Sequence, residues 1–366
     1  MRVIIAAAGT AGHINPGISI ANKIKQEHPD SEIMFIGTNR GLENDLVPRA
    51  GYELKTIDAY GLTLKNITKI LKMLKGFKDA KKIIKDFKPD IVIGTGGYIC
   101  GAVIMQASKL KIPTLLHESN AFPGKAVKML TKYTNTILVA FDVAKERISN
   151  AKNIVVTGTP VKIKKINFKE EERKNIIQGL GFEKEKPILL VFGGSQGAKA
   201  INDAIVRLIK ENKIQKYQMI WAPGPKQYEI IKTELEKENI SIDNIKNVKA
   251  YSYIYNMEEM MNIADLLICR SGAITVTEVA KLGKAAIFVP LPGVSQNHQE
   301  YNARALSDKG AARIILNQEL ENIDLNRYIE EIILNKEIIT KMEEKANGIY
   351  LENAEEKIYE EIKKLI

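Results

Sequence analysis

The sequence has few cysteines and no long apolar run. Only Cys100 and Cys269 occur among its 366 residues, so neither a disulfide framework nor a cysteine-rich metal site is expected. No apolar run approaches the roughly 20 residues that a membrane-spanning helix needs. The run from Val3 to Ala8 is too short for the apolar core of a signal peptide. We therefore expect a cytoplasmic protein without a transmembrane segment or a signal peptide.

Signatures of metal binding are also missing. No two aspartates stand two positions apart, so the Asp-x-Asp device that holds a divalent metal on a nucleotide diphosphate is absent. His117-Glu118 begins like the zinc motif His-Glu-x-x-His, but position 121 is alanine. We therefore predict no metal and no cofactor. The charge of any bound diphosphate would have to be met by backbone amides, helix termini and basic side chains.

The sequence does contain an alternation of short β-branched runs with amphipathic stretches, which is typical of βα units and parallel sheets. The pattern begins again after the Lys-rich residues 161–172, which we interpret as a linker. The predicted fold class is α/β, with two Rossmann-like, doubly wound domains whose parallel sheets face a central cleft. Closing helices are expected from about residue 337. The predicted strands are Val3–Ala7, Glu32–Ile36, Ile91–Gly94, Thr114–His117, Thr136–Val139, Ile188–Phe192, Gln218–Trp221, Leu266–Cys269 and Ala286–Val289.

A weak internal repeat supports two similar halves. Gly9 and Gly12 recur as Gly194 and Gly197, at a constant offset of 185 residues, and each pair lies between a predicted strand and a helix start. Such loops bind anions because glycine lets backbone N–H groups approach the ligand and the helix N-terminus favours negative charge. Simple strand-to-helix geometry explains the first loop equally well. The run Gly193-Gly194-Ser195-Gln196-Gly197-Ala198 is the stronger phosphate signal.

Candidate reactive side chains follow these strands. Three of the four histidines, at positions 13, 117 and 298, come after predicted strands, and a positioned histidine can accept a proton from a hydroxyl near neutral pH. His13 is the candidate base, and a purely structural hydrogen bond is its alternative. Glu278 lies just inside the helix predicted after Cys269-Arg270-Ser271-Gly272. It is either a ribose ligand, like the acidic residue of dinucleotide folds, or an ordinary exposed helix glutamate.

Six segments together carry a resemblance to a known family. In order along the chain they are GTAGHINP, GTGGY, HESNAFPG, GGSQGA, CRSGAITVTE and NHQEYNA. In this order and spacing the chain resembles, over nearly its whole length, the MurG family of bacterial transferases. These enzymes add N-acetylglucosamine to the undecaprenyl-linked muramyl-pentapeptide precursor of peptidoglycan. GGSQGA and the RSGA-x-T-V-x-E stretch are the most specific segments.

The resemblance implies a GT-B fold and an inverting, metal-independent displacement at the anomeric carbon, with UDP leaving. It implies that residues 1–160, with a C-terminal helix at about 346–366, form the acceptor and membrane-associating domain. Residues 161–345 would form the UDP-sugar donor domain. On the donor side, the residues implied are Ser195 for the diphosphate, Ile254 for the uracil, Glu278 for the ribose, Gln299 for the sugar hydroxyls, and Ala273, Ile274, Thr275, Val276 and Thr277 for the phosphates.

The resemblance also implies roles for residues of the first domain. His13 is the implied base for the acceptor hydroxyl, with Glu118 as the alternative, while Thr10, Ala11, Gly12 and Asn120 close over the donor. The acceptor diphosphate is assigned to the first glycine loop together with Gly94, Gly96, Gly97 and Tyr98.

Two departures from the family pattern are visible. Ala8 and Ala11 stand where the family has more glycine, so a positive φ there would be strained. Lys162 stands where the family has arginine, so the diphosphate contact expected of it lacks a bidentate fork.

Most of the net charge of +10 lies in one short segment. Residues 65–88 hold nine lysines and two aspartates, interleaved with apolar residues at helical spacing. Either the apolar stripe faces the core, or the helix lies on an anionic inner-leaflet membrane surface, which suits a lipid-linked acceptor. Gly76 is expected to break or kink this helix. The residues assigned to the membrane surface are Ile67, Lys69, Ile70, Leu71, Lys72, Leu74, Lys75 and Phe77.

The resemblance and the basic segment together predict the binding partners, and other functions remain as alternatives. The partners predicted are UDP-N-acetylglucosamine, the undecaprenyl-linked muramyl-pentapeptide and the membrane surface. Nucleic acid is not expected, because aromatic residues make up only 6% of the chain and no stacking platform accompanies the lysines. The enzymatic alternatives are another GT-B transferase with a lipid acceptor and a UDP-N-acetylglucosamine 2-epimerase. The non-enzymatic alternative is a nucleotide-sensing or membrane-binding module.

Overall fold

The chain forms two compact units. The structure is a computed structural model, and it describes residues 1–60, 70–194 and 196–366. The first unit comprises Met1–Lys162 with Leu351–Ile366, and the second comprises Ile163–Tyr350. The chain therefore passes from the first unit to the second after Lys162 and returns after Tyr350. Within the described ranges, no helix is both long and apolar enough to cross a membrane.

The described part of the first unit is built on a seven-stranded parallel sheet of order β3-β2-β1-β4-β5-β6-β7. Its strands are β1 Arg2–Ala7, β2 Glu32–Gly37, β3 Glu53–Thr56, β4 Ile91–Gly96, β5 Thr114–Glu118, β6 Thr136–Val139 and β7 Ile154–Val156. Its first five helices are α1 Ala11–Glu27, α2 Glu43–Arg49, α3 Ile70–Phe87, α4 Ile99–Lys109 and α5 Lys125–Leu130.

The described part of the second unit repeats this plan with a six-stranded parallel sheet of order β10-β9-β8-β11-β12-β13. The strands are β8 Ile188–Phe192, β9 Gln218–Ala222, β10 Val248–Ala250, β11 Leu266–Cys269, β12 Ala285–Phe288 and β13 Ala312–Ile314. The helices are α6 Glu170–Gly179, α7 Lys199–Lys210, α8 Pro225–Lys237, α9 Met257–Ile263, α10 Ala273–Leu282, α11 His298–Ser307, α12 Leu325–Ile333 and α13 Lys336–Asn347; the last helix, α14 Ala354–Lys363, belongs to the first unit.

Both faces of the first sheet are buried, which explains its continuous apolar strands. Along β1, Ile4 and Ala6 contribute to the hydrophobic cluster that contains residues of α3 and α4. Val3 and Ile5 contribute to the opposite cluster, which contains residues of α1 and α14. Successive residues of a strand point to opposite faces, so a strand covered on both sides must be apolar throughout.

The predicted parallel α/β architecture is confirmed. All nine predicted strands are present, with ends that agree within two residues. The described part of the chain has four further strands that were not predicted, namely β3, β7, β10 and β13, and each lies at the edge of its sheet.

The basic helix α3 differs from the prediction in two respects. Gly76 does not break the helix, which is continuous through this position. Glycine instead allows a close approach to Asp58, since a Cβ at Gly76 would overlap the Asp58 carbonyl oxygen. Phe77 is partly buried and packs against the core cluster, which favours the core-facing alternative for this residue. Leu71 and Leu74 are 80% and 55% exposed. The predicted membrane residues Ile67 and Lys69 lie outside the described residues, and so does the side chain of Ile70.

Candidate active site

The glycine loops lie where the strand order of each sheet changes direction. In the first unit, β1 and β4 are neighbours, and their connections to α1 and α4 leave the same edge of the sheet. In the second unit, β8 and β11 are the corresponding neighbours, followed by α7 and α10. Doubly wound folds bind ligands outside the carboxyl ends of strands at such switch points. Each unit therefore has one candidate site at a position that its topology favours.

The first glycine loop leads directly into α1. Thr10 is the N-cap residue, and its carbonyl accepts from the amides of His13 and Ile14. Ala11 and Gly12 are the first two helical residues, whose amides have no partner within the helix. Gly9 takes a φ of +96°, whereas neither Ala8 nor Ala11 is left-handed. The two alanines that replace family glycines are therefore not strained.

His13 is held in one tautomer. Its Nδ1 lies 3.1 Å from the carbonyl oxygen of Ala8 and must donate to it, since a carbonyl can only accept. The Nε2 of the neutral ring is then unprotonated and can accept a proton. The main chain of His13 is also fixed, because the Thr95 hydroxyl donates to its carbonyl oxygen at 2.8 Å. A Cβ at Gly96 would overlap the His13 ring, so glycine is needed there.

The second loop of this unit differs from the prediction. Gly94 was expected in the acceptor loop, but it lies buried inside β4, where a Cβ would come within 2.7 Å of Leu116. Gly94 therefore lies within the strand, and the loop begins only at the end of β4, which is Gly96. Gly97 lies close to the first loop, since a Cβ there would approach the Ala8 oxygen to 2.7 Å. Tyr98 is 65% exposed and caps α4.

Glu118 and His117 are both committed to structural hydrogen bonds. Glu118 Oε1 accepts from the backbone and side-chain amides of Asn120 at 2.9 and 2.8 Å, and Oε2 accepts from the Gly124 amide at 2.8 Å. His117 Nε2 donates to the Gly158 carbonyl at 3.0 Å, and burial lowers its pKa to about 4. Glu118 and Asn120 therefore shape the loop after β5, and His117 stays neutral.

The glycine loop after β8 is packed against the loop after β9. Gly194 and Gly197 have φ of +84° and +76°, and a Cβ at Gly197 would overlap the Pro223 carbonyl oxygen. Asn202 of α7 donates to that same oxygen at 2.9 Å. Ser195 lies outside the described residues.

Helix α10 begins after the three residues that follow β11, and its N-terminus lies at the switch point. Its first three residues are Ala273, Ile274 and Thr275, whose amides have no partner within the helix. Val276 and Thr277, also predicted to meet phosphate, are buried: the Val276 amide donates to the Gly272 carbonyl, and the Thr277 hydroxyl donates to the Ala273 carbonyl. The phosphate contacts expected of this helix are thus reduced to its first turn.

Glu278 lies on α10 beyond this first turn. Burial raises the pKa of its carboxyl to about 7. It is therefore not the ordinary exposed helix glutamate of the alternative interpretation. A partly buried carboxylate gains from any ligand that can donate hydrogen bonds to it.

The remaining predicted donor residues lie in three separate segments. Gln299 of α11 accepts from the Leu291 amide at 3.0 Å through Oε1, which leaves its NH₂ group for other acceptors. Ile254 is buried in the irregular segment between β10 and α9, so its backbone rather than its side chain is suited to a base. Lys162 is exposed at the end of the first unit. Among the described residues, no cluster of three or more histidine, cysteine or acidic side chains could hold a metal ion.

Comparisons with known proteins agree on one family. Residues 3–139 match the glycosyltransferase family 28 N-terminal domain, and residues 188–362 match the glycosyltransferase family 28 C-terminal domain. A relative from Acetivibrio thermocellus is 42% identical over 371 residues, which cover 100% of this chain and 98% of the relative. The chain belongs to glycosyltransferase family 28.

Two of its family 28 relatives carry the same name. The Acetivibrio protein is called UDP-N-acetylglucosamine--N-acetylmuramyl-(pentapeptide) pyrophosphoryl-undecaprenol N-acetylglucosamine transferase. A protein of the same name from Thermoanaerobacter sp. is 41% identical and covers 100% of both chains. The MurG family resemblance of the sequence is confirmed.

Solved structures establish the GT-B fold of this family 28 chain. The crystal structure of Acinetobacter baumannii MurG is 29% identical, covers 99% of both chains and has a TM-score of 0.80. A UDP-GlcNAc 2-epimerase from Neisseria meningitidis has a TM-score of 0.66 at 18% identity and covers 100% of both chains. The epimerase therefore shares the fold alone.

Several residues that organise the family 28 site were not predicted. Glu43 accepts from the Gly9 amide, Asn202 donates to the Pro223 carbonyl beside the glycine loop after β8, and Ser271 donates to the Gln299 carbonyl at 2.8 Å. Arg270 donates to the carbonyls of Val289 and Pro290 at 3.0 and 3.1 Å. Only Arg270 and Ser271 lie in a recognised segment, so only these two had a signal in the sequence.

Proposed function

We propose that this chain transfers N-acetylglucosamine from UDP-N-acetylglucosamine to the lipid-linked muramyl-pentapeptide, the step that converts lipid I to lipid II in peptidoglycan synthesis. The observation that carries the proposal is the hydrogen bond from His13 Nδ1 to the Ala8 carbonyl, which leaves Nε2 free to accept a proton. His13 lies at the switch point of the unit that matches the family 28 N-terminal domain. The names of the full-length relatives support the same reaction.

The second unit is proposed to bind the donor. Glu278 would accept hydrogen bonds from the ribose hydroxyls, and the Ile254 backbone would meet the uracil. Ser195 and the free amides of the α10 N-terminus would meet the diphosphate, and so would the exposed Lys162, which is the last residue of the first unit before the chain enters the second. Helix N-termini favour anions, so this set supports a diphosphate that is neutralised without a metal. Gln299 would use its NH₂ group on the sugar hydroxyls.

The first unit is proposed to activate the acceptor. The acceptor hydroxyl attacks the anomeric carbon from the face opposite UDP, its proton passes to His13 Nε2, and the bond from the anomeric carbon to the UDP oxygen breaks. Thr10, Ala11 and Gly12, with Asn120, would close over the donor. Gly96, Gly97 and Tyr98 would receive the acceptor diphosphate. Glu118 is the weaker candidate base, because both of its oxygens already accept hydrogen bonds from the protein.

One assay tests the reaction. Radiolabelled UDP-N-acetylglucosamine is incubated with the protein and a lipid-linked muramyl acceptor, with and without EDTA. Label that reaches the lipid in EDTA supports both the reaction and its metal independence. Release of free UDP and an epimerised sugar without acceptor would support a 2-epimerase instead, and no conversion at all would refute both.

His13→Ala tests the assignment of the base. Turnover is expected to fall about 100-fold or more, since a general base contributes about that much, while UDP affinity is retained because UDP binds the second unit. Transfer rates and calorimetric UDP titration measure the two effects. Glu118→Gln provides the comparison: near-normal turnover of His13→Ala, with loss in Glu118→Gln, would transfer the role to Glu118.

The same proposal places the protein on the cytoplasmic face of the bacterial cell membrane. The first unit has 27 lysines and arginines against 18 acidic residues, whereas the second has 27 against 26. On α3, Leu71, Lys72, Leu74 and Lys75 are all exposed. Exposed leucines between lysines suit an interface of anionic headgroups and acyl chains. Stronger flotation with anionic vesicles than with neutral vesicles would support this location.

A further inference from the structure

Glu43 is a fully buried carboxylate beside the first glycine loop. Its Oε1 accepts from the Thr38 amide at 2.9 Å and the Thr38 hydroxyl at 2.6 Å, and its Oε2 accepts from the Gly9 amide at 2.9 Å. Burial alone would favour the neutral acid, but these donors outweigh it and lower the pKa of Glu43. The loop is thus held by a buried negative charge whose hydrogen-bond donors are uncharged.

Two glycines make room for this carboxylate. A Cβ at Gly37 would come within 2.7 Å of Glu43 Cγ, and a Cβ at Gly41 would overlap Glu43 Oε2. The Leu42 amide also donates to the Gly9 carbonyl, at 3.4 Å. The backbone around Glu43 is therefore shaped so that Oε2 reaches the Gly9 amide.

Glu43 and His13 make hydrogen bonds to the two ends of one peptide group, the one that joins Ala8 to Gly9. Glu43 Oε2 accepts from the Gly9 N–H, and the Ala8 oxygen of that peptide accepts from His13 Nδ1. A negative charge at the N–H end of a peptide polarises its carbonyl, so the two hydrogen bonds strengthen each other. The peptide thereby connects a buried carboxylate to the imidazole.

We propose that Glu43 is the positioning residue for His13 and acts through the Ala8–Gly9 peptide. This inference rests on the proposed role of His13 as the base. Glu43 keeps the proton of the neutral ring on Nδ1, so that Nε2 is left unprotonated for the acceptor hydroxyl. Glu43 stays ionised throughout. The arrangement has the logic of a catalytic triad, with a peptide bond inserted between the base and the group that orients it.

Three variants separate this role from a contribution to folding. Glu43→Gln removes the charge, and Gly41→Ala forces Oε2 away from the Gly9 amide while the carboxylate remains. Thr38→Val is the matched control, because it removes a hydrogen bond from Oε1 of the same carboxylate and leaves Oε2 unchanged. All three are compared by thermal melting and by UDP affinity, which the second unit provides.

The tautomer of His13 is the decisive measurement. In protein labelled with ¹⁵N-histidine, the four histidines give few signals, and the spectrum of His13→Ala identifies the one sought. We expect Nδ1–H alone in the wild type and Thr38→Val, and a mixture of tautomers in Glu43→Gln and Gly41→Ala. We also expect kcat to fall about 10- to 100-fold in Glu43→Gln and Gly41→Ala, with UDP affinity unchanged. In Thr38→Val, kcat should stay within about twofold of the wild-type value.

Each outcome decides a separate question. An unchanged His13 tautomer in Glu43→Gln and Gly41→Ala would overturn the inference. The inference would also be overturned if all three variants lost kcat equally and the loss simply followed the decrease in melting temperature. If the wild type transfers no sugar, the proposed function fails, and the tautomer comparison still decides whether Glu43 orients His13.

Discussion

Two acidic side chains near the predicted sites, Glu43 and Glu278, experience opposite environments. Both are desolvated, but Glu43 accepts three hydrogen bonds from Gly9 and Thr38, and these lower its pKa. Burial dominates at Glu278 and raises its pKa to about 7. The first carboxylate is satisfied by the protein itself. Among the described residues, Glu278 has no donors of this kind to lower its pKa, and a raised pKa is typical of a carboxyl group that binds a ligand.

UDP affinity should therefore depend on Glu278 and on pH. Ribose hydroxyls donate to the ionised carboxylate, and the carboxyl is neutral below about pH 7 in the free protein, so affinity should fall as the pH drops through 7. One pH unit below that value the loss should approach about tenfold. Calorimetric titration with UDP from pH 8 to 6 measures it.

Glu278→Gln is the control for this pH dependence. The variant should bind UDP more weakly at pH 8, and any slope that remains belongs to the titration of UDP itself. A slope equal to that of the wild type would show that Glu278 does not accept from the ligand in its ionised form.

Histidine roles show how far sequence reasoning reaches at this scale. His13 follows β1 and His117 lies near the end of β5, and nothing in their neighbours along the sequence separates a base from a structural residue. The structure separates them by exposure: His117 is 1% exposed and bonded to Gly158, whereas His13 is partly exposed with Nε2 unprotonated. Burial depends on what the rest of the chain places above a side chain, and a local sequence does not record it.

At the scale of elements, the strands that were missed share one cause. The central strands are buried on both faces and read as continuous apolar runs, which made them predictable. The edge strands have three or four residues and partly exposed side chains, such as Glu53–Thr56 and Ile154–Val156. Short, half-exposed strands carry little apolar pattern, so they are recognised only through their pairing with β2 and β6.

Helix α3 gives a test of packing against propensity. Alanine in place of an exposed helical glycine normally stabilises a protein by up to about 1 kcal/mol. Gly76→Ala should instead destabilise it, because the new Cβ would overlap the Asp58 carbonyl oxygen. Denaturant unfolding measures the change in the free energy of unfolding.

Gly101 of α4 is the matched control. Apart from its chain neighbours and the backbone of its own helix, no atom of the described residues lies within 4 Å of the position that its Cβ would take, so Gly101→Ala should follow propensity and stabilise the protein. The same sign for both substitutions would mean that the contact between α3 and Asp58 does not constrain the helix.

At the scale of the whole molecule, the net charge of +10 is divided very unevenly. The first unit carries a net charge of +9 and the second a net charge of +1. Both have 27 cationic residues, so the difference comes from the acidic residues, 18 against 26. The second unit neutralises its lysines in ion pairs such as Lys210 with Glu234 and Glu238. An anionic surface would therefore attract the first unit and orient the molecule.

Vesicle binding should fall when the charge of α3 is reversed. Lys72→Glu with Lys75→Glu should weaken flotation with anionic vesicles, since each lysine near such a surface contributes about 1 kcal/mol. Raising the ionic strength should weaken the wild type in the same way, because salt screens these attractions.

The matched control carries the same change of charge on the second unit. Lys226 and Lys237 are exposed on α8, and Lys226→Glu with Lys237→Glu should leave flotation close to that of the wild type. Equal losses in both double variants would assign the binding to overall charge. Flotation that ignores anionic lipid would contradict the membrane proposal.

The sequence by itself determined the two parallel α/β sheets and the position of their glycine loops. Buried parallel strands require unbroken apolar runs, and loops that approach an anion require glycine. Both features can therefore be recognised from a few consecutive residues of the sequence. Only the tertiary structure decided which polar groups hold those loops. Glu43 is 34 residues from Gly9, and Gly158 is 41 residues from His117. Hydrogen bonds over such separations follow no periodicity, because they depend on how strands are ordered in the sheet.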